Sequence, residues 1–360
     1  MIKNMKWTLP GLLIILIIAL ISGCASESDT ASIEKNIRPL RDTVGFAQYD
    51  WQMDSLMARL DREGWRRSKG KPWKMAICPH DDYAYVGRLY PETLSNIKAD
   101  RVIVIGVAHR AAQLGIEDSL VFDTHTHWKG PWGDVKVSSY REELLDFLDD
   151  FAMVSDTMHR VEHSLESLIP FLQYFNRELE IIPVLVPTMN PERMESVGRA
   201  LADAINKVAD ANQWTWGEDY ALLVTTDAVH YGNENWNGNN NARFGCDDEG
   251  NMKAREYERE IIAETLSGVI EPGRIRKFSE YTLSKDDYRT YIWTWCGRYC
   301  VPVTLYTTYF LDDGKNISGE LLDYYTSITT DHIYVDDIGL GRTAIATPCH
   351  WVGYAAIAYR

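Results

Sequence analysis

Short apolar runs alternate with segments of helical periodicity along this chain, and that alternation constrains the fold most. Strands that are buried on both faces are nearly continuous in apolar residues, and they are shorter than most helices. Four runs fit this description: Lys74–Cys78, Arg101–Gly106, Ile181–Val186 and Ala221–Thr226. Helices between strands favour parallel pairing. The sequence therefore predicts an α/β fold, a single domain with a mostly parallel central sheet flanked by helices.

One of the intervening helices is marked by its start and its period. Asn190 is a capping residue, Pro191 suits the first helical position, and Glu192 is an acid in the first turn. Apolar residues then recur at helical spacing: Met194, Val197, Leu201, Ile205 and Val208. These residues predict an amphipathic helix that packs on the sheet.

Side chains that can bind metals follow three of the predicted strands. The run "KMAICPH" ends in His80, "RVIVIGVAH" ends in His109, and "ALLVTTDAVH" ends in Asp227 and His230. Ligands bind beyond the carboxyl ends of strands in open α/β sheets. Imidazole and carboxylate together suit a divalent first-row metal. One such histidine is more often a structural residue, but three strands that agree predict a metal site.

The charge of Asp227 needs a cation or hydrogen-bond donors nearby, because an unpaired carboxylate at the end of a buried strand is costly. Two roles would meet this need. Asp227 either lies at the metal or orients a histidine that binds it. His230 follows three residues later, a spacing at which both side chains can point the same way across a turn.

The amino-terminal segment has the features of an export signal. Lys3 and Lys6 form a basic head, and an apolar stretch of signal-peptide length runs from Leu9 to Ile21. The following Ile-Ser-Gly-Cys sequence, which ends at Cys24, resembles the lipobox of bacterial lipoproteins. That resemblance implies cleavage before Cys24, lipid on its thiol, and a location at the bacterial cell envelope. The alternative is an uncleaved anchor with an incidental cysteine.

This segment sets the expected domain boundaries and partners. Residues 1–23 are predicted to be the signal peptide, residues 24–45 a flexible tether, and residues 46–360 the folded domain. The net charge of −15 repels nucleic acid and anionic headgroups. We therefore expect a small-molecule ligand or a metal as partner, no nucleic acid, and membrane contact through the lipid anchor only.

Five cysteines lie in the predicted domain, and an oxidising compartment would allow disulfides among them. They are Cys78, Cys246, Cys296, Cys300 and Cys349. Because five is odd, at least one is unpaired or bound to something else. Cys296 and Cys300 could pair with each other, but cysteines four apart on a helix fit disulfide geometry poorly. The spacing favours a free Cys296.

Several motifs occur in a fixed order that resembles the MEMO-like family. They span residues 70–360 and are "CPHDDYAYVG", "RVIVIGVAHR", "VEHSLESLIPFLQYF", "IIPVLVPT", "TTDAVHYG", "WCGRYCVPV" and "WVGYAAIAY". The family includes protein B of the AmmeMemoRadiSam system. It shares its fold with class III extradiol dioxygenases, which use non-haem Fe(II) to open catechol rings. The resemblance implies an extradiol-dioxygenase-like domain.

The resemblance also implies roles for six residues. Those that match the dioxygenase iron ligands are His80, His109 and Cys296. Those implied to line the same pocket as catalytic residues are Asp227, His230 and His163. Without the resemblance, His163 would be a solvent-side histidine near the start of a helix. Asp81-Asp82 and Val107-Ala108 depart from the family's pattern, so the family's substrate does not carry over.

The expected metal follows from the same comparison. Fe(II) is the metal of the related dioxygenases, while the Cys296 thiolate makes the site softer and admits Cu or Zn. The resulting hypothesis is a lipid-anchored MEMO-like protein with a mononuclear non-haem metal centre that acts as a redox or dioxygenase-like enzyme. The alternative is a non-catalytic iron- or copper-binding protein of the cell envelope. Family association suggests AMMECR1-like and radical SAM proteins as partners.

A second histidine pair is a weaker candidate for metal binding. In "THTHW", His125 and His127 would share one face of a strand. An exposed strand edge is the more expected explanation, and the MEMO-like family has no histidine pair there.

Overall fold

The computed structural model describes residues 35–65 and 70–360. Residues from Lys35 onward form one compact unit. The predicted signal peptide, the lipidation site at Cys24 and the first part of the tether lie outside the described residues. No helix among the described residues is long and apolar enough to cross a membrane.

Strands and helices alternate along the described chain. The strands are β1 (Ile37–Arg38), β2 (Met75–Cys78), β3 (Arg101–Val107), β4 (Leu120–Phe122), β5 (His127–Trp128), β6 (Val135–Val137), β7 (Ala152–Val154), β8 (Glu180–Val186), β9 (Tyr220–Thr225), β10 (His230–Gly232), β11 (Gly268–Val269), β12 (Ser318–Thr326) and β13 (His350–Tyr359). The α-helices are α1 (Asp50–Glu63), α2 (Tyr83–Val86), α3 (Leu89–Leu94), α4 (Tyr140–Asp146), α5 (Asp156–Val161), α6 (Ile169–Phe175), α7 (Pro191–Asn212), α8 (Asp248–Ile261), α9 (Pro272–Thr282) and α10 (Cys300–Asp312). Short 3-10 turns lie at Ala111–Leu114, Asp149–Phe151 and Asp336–Ile338, and a π-helical turn at Ile262–Leu266 follows α8.

The strands join in one large sheet with a parallel centre. Its order is β1-β5-β6-β8-β3-β9-β2-β13-β12-β11. The neighbours β8, β3, β9 and β2 are parallel, and they are the four strands predicted from the sequence. The predicted α/β fold is therefore confirmed. The sheet continues beyond β2 in the antiparallel strands β13, β12 and β11, which the sequence analysis did not identify.

Helices cover both faces of the sheet. Successive residues of β3 alternate between two apolar layers, since strand side chains point to opposite faces in turn. Ile103 and Ile105 pack in the layer that contains α7 and α10, whereas Val102 and Val104 pack in the layer of α1, α3 and α6. This double burial explains why the central strands are continuous apolar runs.

Helix α7 forms as its sequence predicts. The side chain of Asn190 accepts a hydrogen bond from the backbone N–H of Arg193, and Pro191 is the first helical residue. The predicted apolar positions are all buried: Met194, Val197, Leu201, Ile205 and Val208. The cap and the apolar stripe therefore fix where this helix starts and which face packs on the sheet.

Residues 35–45 are packed on the domain, in contrast to the tether predicted over residues 24–45. Strand β1 pairs with β5, and the Arg38 side chain is buried. Its guanidinium forms an ion pair with Glu166 and donates to the carbonyl oxygen of His159 at 2.8 Å. It also lies 4.3 Å from the centre of the Trp128 ring. These long-range contacts fix a segment whose polar composition is typical of a flexible linker.

Candidate metal centre

The three predicted metal ligands lie together at the carboxyl edge of the parallel strands. His80 follows β2, His109 follows β3, and Cys296 lies shortly before α10. One ligand atom from each residue is within 4.8 Å of the others. Strand β9, which ends just before Asp227, lies between β2 and β3 in the sheet. The strand ends bring the two histidines and Asp227 to one place, as the sequence predicts.

His80 is held by two contacts that leave its Nε2 facing the other ligands. Its Nδ1 forms a 3.0 Å hydrogen bond with Thr225 Oγ1, at the end of β9. Its backbone N–H donates to Asp227 Oδ1 at 2.9 Å. The remaining nitrogen, Nε2, is 3.5 Å from Cys296 Sγ. A histidine whose second nitrogen is bonded in this way is fixed in orientation for a metal.

His109 is held by a carboxylate. Glu162 receives the His109 backbone N–H at 2.7 Å and lies 2.9 Å from its Nδ1, so Nε2 remains free to bind a metal. Burial of Glu162 opposes its ionisation, but His109, His163 and the backbone N–H of Ser164 together outweigh that effect and hold the carboxyl pKa well below its usual range. Backbone N–H groups of His163 and Ser164 also donate to it. Glu162 is therefore an ionised partner for His109.

Cys296 contributes a buried thiol. Its Sγ accepts the backbone N–H of Asp227 at 3.1 Å and lies 3.5 Å from Thr226 Oγ1. Burial raises the pKa of this thiol well above its usual value, and the nearby charge of Asp227 adds to the effect. A bound cation has the opposite influence and favours the thiolate. The thiol is thus placed where a metal would determine its ionisation.

Asp227 and His230 lie beside these three residues. Asp227 Oδ2 is 3.5 Å from His80 Nε2 and 4.0 Å from His230 Nε2. Burial raises the pKa of Asp227 to about 7 and lowers the pKa of His230 to about 3. His230 Nε2 is buried and has no hydrogen-bond partner. A neutral imidazole nitrogen without a partner, next to a carboxylate and a thiol, fits a cation at this position.

The geometry distinguishes the two roles proposed for Asp227. Thr225, rather than Asp227, bonds to the second ring nitrogen of His80. The Asp227 carboxylate instead faces the same side of the ring as Cys296. It forms a second candidate ligand group with His230 and Cys296, whose ligand atoms are also within 4.8 Å of one another. Asp227 therefore lies at the candidate metal position itself.

His163 stands between this group and the surface. Its ring stacks on His109, with centroids 5.1 Å apart and planes 12° from parallel. Its side chain is 42% exposed. A pocket of about 610 Å³ opens beside it and is lined in part by His109, Arg41 and Arg110. A small molecule in that pocket would contact His163 and approach the candidate metal position.

Comparison with known proteins identifies the family. The sequence profile of the Memo-like protein family matches residues 47–342. This chain belongs to the Memo-like family. Its fold is accordingly related to that of the extradiol dioxygenases, as the sequence resemblance implied.

Relatives of this Memo-like chain include MEMO1 family proteins from archaea and bacteria. One from Methanosarcina barkeri is 31% identical over 43% of this chain and 54% of its own length. One from Methanothermobacter thermautotrophicus is 31% identical over 46% of this chain and 55% of its own length. One from Aquifex aeolicus is 29% identical over 46% of this chain and 57% of its own length. The matched segment thus spans about half the length of these relatives.

The two acids that depart from the family's pattern are held by the fold of this Memo-like chain. Asp81 Oδ2 accepts the Tyr354 hydroxyl at 2.5 Å. Asp82 Oδ2 accepts the backbone N–H of Thr343 at 2.5 Å and its hydroxyl at 3.0 Å. Burial raises the pKa of Asp81 to about 7 and that of Asp82 to about 8. Near neutral pH they add less negative charge than two free carboxylates would.

Two further pairs from the sequence, His125 with His127 and Cys296 with Cys300, lie among the described residues. His125 is buried and lies 3.0 Å from Asp123 Oδ2, while His127 bonds to Thr126. Neither belongs to a candidate metal-ion group of the described chain. Cys296 and Cys300 are both free. The expected exposed strand edge is wrong for His125, because this side chain is buried against Asp123 and precedes β5. The favoured unpaired Cys296 agrees with the structure.

Sequence reasoning missed two residues that position the histidines, Glu162 and Thr225. Glu162 directly precedes His163 in "VEHS", and an acid beside a candidate histidine was the available signal. Its actual partner, His109, is 53 residues away in sequence. Thr225 gave no signal, because a threonine at the end of an apolar run is typical of any strand.

Proposed function

We propose that this Memo-like protein binds one metal ion through His80, His109 and Cys296 and transforms a small molecule in the adjoining pocket. The observation that carries the proposal is the approach of three ligand atoms, from three separate loops, to within 4.8 Å of one another. The buried, unpartnered Nε2 of His230 supports it independently. Fe(II) is the metal that we propose, because it is the metal of the related dioxygenases. Cu and Zn are alternatives, because a thiolate ligand makes the site softer.

Protein groups around the centre have distinct tasks in the proposed enzyme. When bound, a redox-active metal supplies electron transfer and polarises a coordinated oxygen. Glu162 holds His109 in one tautomer, and Thr225 fixes the ring orientation of His80. His163 is at the pocket wall, where its imidazole is positioned to accept or return a proton. Arg41 and Arg110 at the same pocket favour a substrate with an acidic group.

The second candidate function is a non-catalytic protein that holds iron or copper. Asp227 and His230 favour it, since they would add two ligands to the first three and close the coordination shell. The pocket of about 610 Å³ beside His109 favours the enzyme instead. Metal content of the purified protein, combined with a titration by azide, separates the two. A single metal ion whose spectrum changes on azide addition supports the enzyme, and an unresponsive, fully coordinated ion supports the binder. Absence of stoichiometric metal after reconstitution contradicts both.

Variants of Asp227 and His230 test whether these two residues are needed to hold the metal. We expect Asp227→Asn and His230→Ala to retain most of the metal, because three other ligands remain in each variant. We expect His230→Ala to weaken azide binding by about tenfold, as changes close to a metal commonly do. Metal content and the azide dissociation constant are the measurements. Complete metal loss in either variant would show that the altered residue is an essential ligand.

We also propose that the protein is a lipoprotein of the bacterial cell envelope, anchored through Cys24. The proposal rests on the resemblance of residues 21–24 to a lipobox. Cys24→Ala should remain unprocessed or lose membrane association, as judged by fractionation and intact mass. Unchanged fractionation and mass would contradict it. AMMECR1-like and radical SAM proteins remain proposed partners on family association alone.

A further inference from the structure

Two of the free cysteines lie against each other near the protein surface. Cys246 precedes α8 and Cys349 precedes β13, and both are only partly buried. Asn233 contacts both of them, through its side chain to the Cys246 thiol and through its backbone N–H to the Cys349 carbonyl oxygen. The neighbouring Cys246 thiol raises the pKa of Cys349 to about 11. The other described cysteines are buried: Cys78, Cys296 and Cys300. Within the described chain, this pair therefore combines proximity with access to a soluble oxidant.

The surrounding hydrogen bonds hold both cysteine segments in place. The backbone N–H of Asn233 donates to the Cys349 carbonyl oxygen at 3.0 Å, while its side-chain oxygen lies 3.7 Å from Cys246 Sγ. Asn251 donates to the Cys246 carbonyl oxygen at 3.1 Å and accepts the Trp351 indole N–H at 2.8 Å. Asn233 and Asn251 thus each link the two segments, which places Cys246 and Cys349 side by side.

We propose that Cys246 and Cys349 form a reversible intramolecular disulfide by exchange with a disulfide oxidant such as oxidised glutathione. One cysteine thiolate attacks the oxidant and releases one glutathione thiolate. The second cysteine thiolate then attacks the mixed disulfide and releases the other. The S–S bond of the oxidant breaks and the protein S–S bond forms. The two protons lost by the cysteines pass to the two released glutathione molecules.

The bond would fasten a loop that packs against the candidate site. Residues 233–246 lie between β10 and the cysteine, and Trp236 in this loop stacks on His350 at 4.1 Å. The Trp236 ring is also 5.1 Å from the ring of His230. A disulfide between Cys246 and Cys349 would tie the far end of the loop to the strand that carries His350. The redox state of the pair would then set how freely Trp236 moves away from His230.

Peptide mapping tests the bond. The purified protein is equilibrated with oxidised glutathione at mildly alkaline pH, quenched with an alkylating agent, digested and analysed by mass spectrometry without reduction. We expect the peptides of Cys246 and Cys349 to be joined, and Cys78, Cys296 and Cys300 to be alkylated only after unfolding. Cys349→Ser should abolish the joined peptide. Separate glutathione adducts on both cysteines, or a cross-link between two protein molecules, would overturn the proposal.

Limited trypsin digestion tests the effect on the loop. Arg243 is exposed within residues 233–246 and offers a cleavage site. Because the disulfide restricts local opening, we expect cleavage at Arg243 to slow at least about threefold on oxidation of the wild-type protein. Cys349→Ser should be cleaved at the same rate with and without oxidant. A joined peptide with no change in the cleavage rate would show that the disulfide forms, but it would overturn the proposed effect on the loop.

Discussion

His80→Ala is expected to lower the metal content of the purified protein by about tenfold or more, since loss even of groups behind a ligand has effects of this size. His109→Ala and Cys296→Ser should lower it comparably. The reason is geometric. Each variant removes one of three ligand atoms within 4.8 Å of one another, and the remaining pair holds an exchangeable ion weakly. The measurement is the metal-to-protein ratio after gel filtration.

Two controls make this result specific. His127→Ala removes an imidazole that bonds to Thr126 and lies in none of the candidate metal groups of the described chain, so the metal content of this variant should match the wild type. Glu162→Gln keeps the volume behind His109 but removes the ionised partner, so it should weaken metal binding less than His109→Ala does. Wild-type loading in His80→Ala, His109→Ala and Cys296→Ser together would refute the site.

Glu258→Ala is expected to destabilise the protein by about 3–5 kcal/mol, the scale for breaking a buried polar network. The Glu258 carboxyl is fully buried and accepts the indole N–H groups of Trp293 and Trp295. It also accepts the backbone N–H of Val229 at 3.2 Å. Truncation leaves these donors buried without an acceptor. Chemical denaturation measures the loss in the free energy of unfolding.

The control for this variant lies on the same helix. Glu256 is exposed on α8, so Glu256→Ala should change the free energy of unfolding by less than about 0.5 kcal/mol. Glu258→Gln retains one side-chain oxygen and the side-chain volume. Its free energy of unfolding should lie between those of Glu258→Ala and Glu256→Ala. Equal stability of Glu258→Ala and Glu256→Ala would show that the buried hydrogen bonds contribute nothing net.

Glu258 should also give the protein a distinctive dependence on pH. Burial raises the pKa of this carboxyl to about 7. Between about pH 4 and pH 7 the unfolded chain releases this proton while the native chain keeps it. The native state then binds more protons, so this group makes the free energy of unfolding fall as pH rises through that range. Glu258→Gln should remove this contribution from a stability profile, and an unchanged slope would contradict the assignment.

The features that could be predicted from short stretches of sequence are those determined by neighbouring residues. Strands β2, β3, β8 and β9 are visible because burial on both faces leaves continuous apolar runs. His80, His109 and Asp227 follow from the ends of those runs. Cys296 did not, because it lies 216 residues after His80 and no pattern around it indicates a ligand. The resemblance to the MEMO-like family was needed to bring it into the site.

Long-range partners explain what sequence reasoning missed. The Arg38 side chain is buried by an ion pair with Glu166, at a separation of 128 residues. Glu162 likewise bonds to His109 across 53 residues. A charged side chain in a polar segment is typical of solvent exposure, and only the folded structure reveals a buried partner. The start of the packed domain was therefore predicted too late, and the carboxylate behind His109 was not predicted.

The unlike partners of the two histidines make them unequal electron donors. A carboxylate behind an imidazole raises its basicity, whereas a neutral hydroxyl does so far less. His109 has Glu162 behind it, and His80 has Thr225. With a metal bound, His109 would therefore be the stronger donor of the two histidines. His80, with only a hydroxyl behind it, would be the weaker one and the more easily displaced.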